Sequence, residues 1–392
     1  MKRLKLILPV IVVSQFCCTS LWFAGNGVMS DLVENFGLND FALGHLTSAV
    51  QFGFIIGTLV FAVLTVADRF SPSRVFFVSA LLGALFNTGV MLEVNHLTSI
   101  LILRFLTGFF LAGIYPVGMK IAADYYKKGL GKSLGFLVGA LVVGTAFPHL
   151  LKGITASVPW QSVMITTSSL AIFGGTLMVI FVPNGPHRKP GTRIDLLAFF
   201  KVFGHSGFRS AAFGYFGHMW ELYAFWAFVP VMLKMYGDLN PQTVFNIPVL
   251  SFVIIGVGGL ACVSAGFLAP SLGTKRTAFT ALLLSCICCL IAPWMFAVQD
   301  GYVFIGFLIF WGFVVIADSP LFSTMVANNA QPEIKGTALT IVNCIGFSIT
   351  IISIQIINLL KEITDAPKIY MILALGPALG LMALSKRNRY RQ

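Results

Sequence analysis

Apolar residues run through the chain in twelve long blocks, at about 6–29, 41–67, 74–94, 98–123, 132–153, 158–182, 210–235, 243–269, 276–297, 302–327, 336–360 and 366–385. Short polar clusters separate them, among them Asn39-Asp40, Asp68-Arg69, Asn95-His96, Asp300-Gly301 and Gln331-Pro332-Glu333. About 20 apolar residues in a helix cover the hydrocarbon core of a bilayer, and these blocks are of that length. With no water in hydrocarbon, the backbone must pair with itself, which leaves helices or closed barrels. The blocks show no strict alternation of apolar and polar positions, so the pattern predicts an all-α membrane protein with twelve transmembrane helices.

Composition agrees: of 392 residues, 57% are hydrophobic and 10% charged, against roughly 25% charged in soluble domains. The net charge of +12 raises the question of nucleic acid. The basic residues, however, lie at block ends rather than in an aromatic-interleaved stripe, so no nucleic-acid partner is expected. With a cytoplasmic N-terminus, 21 of the 26 Lys and Arg fall on the inside and four, Lys152, Lys234, Lys361 and Lys368, on the outside, while Arg104 lies within the fourth helix. That asymmetry follows the positive-inside rule and predicts a multi-pass protein of the cytoplasmic (bacterial inner) membrane with both termini cytoplasmic. The apolar run after Met1-Lys2-Arg3-Leu4-Lys5 exceeds a signal h-region and reads as a retained first helix. All seven Cys lie inside apolar blocks and read as packing residues, with no disulfide framework or metal-ligand loop.

The chain divides six plus six. Residues 1–182 form a first six-helix bundle, 183–209 a cytoplasmic linker and 210–392 a second bundle with a basic tail. The linker opens with the turn-rich Pro183-Asn184-Gly185-Pro186-His187-Arg188-Lys189-Pro190-Gly191, and Ile194 to Phe203 reads as an interfacial helix. The halves also echo each other: Ala67-Asp68-Arg69-Phe70-Ser71-Pro72-Ser73-Arg74 after helix 2 corresponds to Ala269-Pro270-Ser271-Leu272-Gly273-Thr274-Lys275-Arg276 after helix 8. Trp22 matches Trp226 and Pro116 matches Pro320, at nearly equal offsets. Such spacing indicates a parallel repeat of six helices.

On these residues the chain resembles the major facilitator superfamily. Asp68-Arg69 looks like the family's G-x-L-A-D-R-x-G-R-K loop signature, with Leu64 and Ser71 in place of its glycines. Gly266 to Lys275 resembles the second copy, with Pro270-Ser271 in place of Asp-Arg, and Arg104-Phe105-Leu106-Thr107-Gly108 resembles the R-x-x-q-G signature of helix 4. The resemblance spans the whole chain and implies two pseudo-symmetric bundles whose helices 1, 4, 7 and 10 line a central cavity. It also implies that Asp68, Arg69, Arg74 and Lys275 act as a cytoplasmic gate latching the halves together. Gly135, Gly139, Gly144 and Pro148 in helix 5 follow the drug-antiporter glycine-proline signature only loosely.

Ionisable groups at membrane depth cost about 2.5–3.5 kcal/mol each on insertion scales, and they mark functional sites. Four lie away from helix ends: Arg104 in helix 4, His218 and Glu221 in helix 7, and Asp318 in helix 10. His218 and Glu221, three residues apart, share a helix face. Glu221 is expected to be the main proton-coupling site, with His218 sharing its proton and Asp318 second. The other reading is a structural pair fixing helix 7. Asp318-Ser319-Pro320 marks a polar kink in helix 10, a gate or ligand site. Arg104 pairs with a substrate anion, joins a polar or acidic partner in the coupling machinery, or snorkels to the outer interface. Gln15, Thr19, Trp22 and Asn26 form one stripe on helix 1. With Arg104, Tyr115, Trp220, Tyr223, Trp226 and Ser319 they make the candidate substrate cavity, packing being the competing reading for each aromatic. His149 reads as interfacial, beside Lys152.

The sequence therefore predicts a secondary active, proton-coupled transporter, a monomer moving a small organic solute by alternating access. No nucleotide-binding loop, enzyme constellation, metal site or cofactor is expected, and the partners are the solute, H+ and the lipid bilayer. The alternatives are a divalent metal-ion carrier, with His218, Glu221 and Asp318 as ligands, and a drug or metabolite efflux antiporter.

Overall fold

A computed structural model describes residues 2–39, 41–126, 130–154, 158–188, 203–331, 335–364 and 366–385. Most of the linker, including its expected interfacial helix, and the basic tail lie outside the described residues.

Each of the twelve predicted blocks is helical. The first half contains α1 (Lys2–Thr19), α2 (Ala24–Gly27), α3 (Met29–Phe36), α4 (Ala42–Val63), α5 (Val66–Arg69), α6 (Pro72–Gly89), α7 (Leu97–Leu111), α8 (Tyr115–Tyr125), α9 (Leu130–Ile154) and α10 (Gln161–Phe181). The second contains α11 (Ser206–Leu239), α12 (Ile247–Leu272), α13 (Thr274–Phe296), α14 (Gly301–Ala317), α15 (Ser319–Asn329), α16 (Lys335–Ile363) and a 3-10 stretch, Pro367–Ala374, that runs into α17 (Leu375–Ser385). Among the described residues nine helices are long and apolar enough to cross a membrane, and Leu6–Thr19 is a shorter apolar helix. α6 and α11 are also helical but fall outside that set. Large apolar side chains such as Phe52, Ile102, Leu260 and Trp294 point outward, as a hydrocarbon surround permits and water does not.

Three rods are broken rather than continuous. Pro116 and Pro320 each lie in the first turn of the helix after a break, α8 and α15, a position that suits proline because the N–H it lacks would have no intrahelical partner there. The first rod, expected as one helix, also breaks, over Ser20 to Phe23, with no proline present. Its cause lies in another helix, described below.

The two bundles meet along two seams. The more extensive is α9 against α12, where a Cβ on Gly139 would come within 2.9 Å of the Gly259 carbonyl oxygen. Without a hydrophobic drive between helices in lipid, such close backbone approach supplies the packing energy. The other seam is α4 against α16. At the end carrying Gly44 it is tied by Gln355, whose amide donates to the Gly44 carbonyl at 3.0 Å and to Ser48 Oγ at 2.8 Å. At the opposite end, carrying the Asp68 turn, a cavity of about 140 Å³ lies between Thr58, Phe61, Pro116 and Lys120 of the first half and Thr340 of the second.

Candidate functional site

Where the halves face each other, the breaks and seams enclose a cluster of aromatic side chains. Trp22, in the first rod's break, lies 4.9 Å from Phe54 of α4, 5.7 Å from Tyr223 of α11 and 5.8 Å from Phe347 of α16, ring centre to ring centre. Phe23 meets Tyr223 and Trp226 edge-on, each at 6.4 Å. Trp22 and Trp226 are wholly buried, yet neither indole N–H has a protein acceptor. The same holds for both side-chain atoms of Gln15 and of Gln51, which are also buried. A buried polar group left unpaired costs about 1–3 kcal/mol, so two unpaired indoles inside one aromatic cluster are what a polar-solute site leaves behind.

Arg104 explains the break. It is 1% exposed, and its guanidinium donates to Asn87 Oδ1 at 2.9 Å and to the carbonyls of Leu21 and Trp22 at 3.0 and 2.6 Å. These carbonyls turn out of the helix toward a charged donor from α7, which substitutes for the backbone pairing given up. Asn87 in turn donates to Ser168 Oγ at 2.9 Å. Of the three readings of Arg104, the polar partner is the one observed; its guanidinium is held by protein groups, buried rather than snorkelling.

The ionisable trio of helices 7 and 10 separates into two sites. His218 Nδ1 lies 2.8 Å from Asp318 Oδ1, both residues 1% exposed. The approach is ion-pair close without hydrogen-bond alignment, and His218 Nε2 and Asp318 Oδ2 have no protein partner. Asp318 is the junction residue between α14 and α15. Glu221, expected beside His218, turns instead to three donors: Ser285 Oγ, Cys289 Sγ at 3.2 Å and Trp311 Nε1 at 2.6 Å. The helix turn that makes positions three apart neighbours still allows one side chain to lean toward Asp318 at the α14–α15 junction and the other toward Ser285 and Cys289 of α13 and Trp311 of α14. Among the described residues no three His, Cys, Asp or Glu side chains gather as a metal site, so the ligand set suggested for a metal-ion carrier does not assemble here.

The helix 1 stripe also diverges, because the break turns it. Gln15 lies against Gly118 of α8 and Thr19 against Gly144 of α9, with the Thr19 hydroxyl donating to the Gln15 carbonyl. Asn26 donates to Thr47 Oγ1 at 2.8 Å. Tyr115 opens α8 and Ser319 opens α15, both half-buried. Trp220 leaves the group: its indole donates to the Ile372 carbonyl at 3.0 Å, on the far side of α11.

The expected latch is satisfied within one half. Asp68 pairs with Lys120 at 2.9 Å, Arg69 donates to Thr65, and Arg188 donates to the carbonyls of Asp68 and Phe70. Lys275 lines a cavity of about 220 Å³ with Asn328 and Asn329 in the other half. Among the described residues no ion pair joins Asp68, Arg69 or Arg74 to the second half. The sequence reading missed Phe54, Phe347, Ser285 and Trp311, and took Cys289 for a packing residue. Of these only Ser285 and Cys289 carried a signal, a four-residue spacing that puts both on one face.

The Major Facilitator Superfamily profile matches residues 11–354. The probable galactarate/D-glucarate transporter GudP of Escherichia coli (strain K12) is 23% identical over 192 residues, which cover 46% of this chain and only 42% of that protein. Among solved structures, the proton:xylose symporter XylE bound to 6-bromo-6-deoxy-D-glucose matches at a TM-score of 0.77 and 13% identity, covering 97% of this chain and 95% of that one. The human organic anion transporter MFSD10 (TETRAN) matches at 0.76 and 14%, covering 97% and 99%. A mutant of the nucleoside transporter NupG matches at 0.72 and 15%, covering 98% and 100%. At these identities the structural likeness is one of fold.

Proposed function

The chain belongs to the Major Facilitator Superfamily, and from that premise we propose that this membrane transporter is a proton-coupled secondary carrier of a small, oxygen-rich organic solute. The observation that carries the reading is the pair of buried, unpaired indole N–H groups, Trp22 from one half and Trp226 from the other, within one aromatic cluster, with the unpaired amides of Gln15 and Gln51 buried on α1 and α4. Aromatic faces suit the C–H faces of a sugar-like ring or chain, and amides and indole N–H groups suit its oxygens. The named cargoes of the relatives, a sugar, sugar acids, organic anions and a nucleoside, are all of this kind.

Transport proceeds by alternating access. The tie between Gln355 and the Gly44 turn, together with the cavity at the Asp68 end, supports a state closed at one face and loosened at the other. The positive-inside pattern assigns the Asp68 face to the cytoplasm. His218 and Asp318 are the proton-handling pair in this reading. They sit at the break in the tenth rod, buried, each with one polar atom unpaired, so a change in water access there alters which proton state is tolerable. Glu221, held by three donors, is the second candidate.

The test is uptake of radiolabelled xylose, uridine and glucarate into proteoliposomes under an imposed pH gradient. Wild-type protein should accumulate at least one of these, and a protonophore should collapse the accumulation. Asp318→Asn should abolish accumulation while leaving solute exchange. Full gradient-driven accumulation by Asp318→Asn would remove that pair from the role, and the same result for Glu221→Gln would remove Glu221.

A further inference from the structure

His149 is buried, 3% exposed, although its place near Lys152 at the end of α9 suggested the membrane interface. The cause is local. Pro148 packs against Gly27 so closely that a Cβ there would lie 2.8 Å from the proline ring. That approach carries the next residue inward, and the imidazole meets Phe23 edge-on at 6.4 Å. Phe23 is the ring that also touches Tyr223 and Trp226. His149 Nε2 has no protein partner.

We propose that His149, with the indole N–H groups of Trp22 and Trp226, forms a carboxylate-reading subsite, so that the cargo is a hydroxylated organic acid. The inference rests on the reading of the aromatic cluster as the solute site. Its chemistry is a surplus of donors. Two indoles donate and cannot accept, and a protonated imidazole donates from both nitrogens. The buried acids are engaged elsewhere, Asp318 with His218 and Glu221 with Ser285, Cys289 and Trp311. A carboxylate, which only accepts, completes such a set; a neutral polyol brings donors of its own. No other buried cation is free for the task among the described residues, since Arg104 is held by Asn87 and two carbonyls.

The surroundings of His149 also fix how its charge arrives. On its own helix Lys152 is paired at 2.6 Å with Asp31 of α3. The stretch of α12 that faces it, between Val249 and Gly259, contains no ionisable residue, nor do α10 and α15. α11 contributes the phenol of Tyr223, which meets the same Phe23 ring. α8 carries Tyr115, Lys120 and Asp124, the last two paired with each other. α2 carries no ionisable residue, and between Leu6 and Thr19 α1 adds only Cys17 and Cys18. Among the described residues an imidazolium there has no protein counter-charge, and an uncompensated buried charge is strongly disfavoured. Proton and carboxylate therefore load together: the anion supplies the counter-charge, and solvent supplies the proton to the imidazole nitrogen.

The experiment compares a matched pair of probes, D-gluconate and D-glucose, in proteoliposomes containing wild type or His149→Gln, which retains hydrogen bonding but takes up no proton. Wild type should prefer gluconate and make the external medium more alkaline as it enters. His149→Gln should lose about tenfold or more of gluconate uptake, corresponding to at least 1.4 kcal/mol, with its unfolding temperature unchanged. Wild type that prefers glucose, or that imports gluconate without proton uptake, overturns the subsite. So does His149→Gln with wild-type gluconate uptake. Should the variant not fold, the wild-type preference and proton count decide alone. Wild type that moves no solute at all, including xylose and uridine, would instead overturn the underlying reading of the site.

Discussion

Replacing Arg104 by leucine should lower the unfolding temperature in detergent, by the equivalent of about 1–3 kcal/mol, since Asn87 and two backbone carbonyls lose their donor inside the protein. Asn87→Leu should cost a similar amount. The double variant should cost less than the sum, because the two residues serve one network; strict additivity would show that they act separately. This contact could not be read from the chain. Charge at membrane depth marks Arg104 as unusual, but whether it meets a solute or a carbonyl depends on how α6 and α7 approach, which no local pattern encodes. His149 went wrong for the same reason, since a neighbouring lysine suggested the interface and a proline-glycine contact from another helix overrode it. Trp220 was a different kind of miss. It lies one residue from Glu221, and a step of about 100° between successive residues already turns it to another face of α11.

At the scale of helices, far more was legible. Block lengths, the placement of basic residues and the proline offsets all rest on local physics: hydrocarbon thickness, the membrane's preference for positive loops on one side, and a ring that removes one hydrogen bond. The kink at Pro320 followed accordingly, whereas the break before Pro116 and the one at Ser20 to Phe23, imposed by Arg104, did not. Helix contacts made by glycines give a direct test. A Cβ at Gly53 would lie 1.9 Å from the carbonyl oxygen of Phe105, a backbone atom that cannot swing aside, whereas one at Gly306 meets nothing within 4 Å. Gly53→Ala should therefore push α4 away from α7 and reduce both unfolding temperature and yield of folded protein. Gly306→Ala should leave both unchanged. Equal behaviour of the two variants would contradict the helix spacing described.

For the molecule as a whole, the Gly44 end of the α4–α16 seam is the natural place to stop its motion. A Cβ on Gly44 would lie 2.6 Å from the Cγ of Asn358, so cysteines at the two positions fall near the separation a disulfide spans, about 3.5–4.5 Å between Cβ atoms. The seven native cysteines are free and buried. Oxidising Gly44→Cys/Asn358→Cys should halt transport, and reductant should restore it. Full activity in the oxidised protein would mean that this face need not open.

The ion pairs themselves carry one more consequence. Lys120 with Asp68 and Asp124, Lys152 with Asp31, and His218 with Asp318 each stay inside a single half. Rocking the halves therefore leaves these pairs intact, and of the charged contacts described above none has to be pulled apart. Dissolved electrolyte acts on the separation of charges: its screening length shrinks from about 30 Å at 0.01 M to about 3 Å at 1 M. Turnover measured on an uncharged cargo should pass through that range nearly flat, and a steep slope would reveal an electrostatic clasp between the halves in the opposite state.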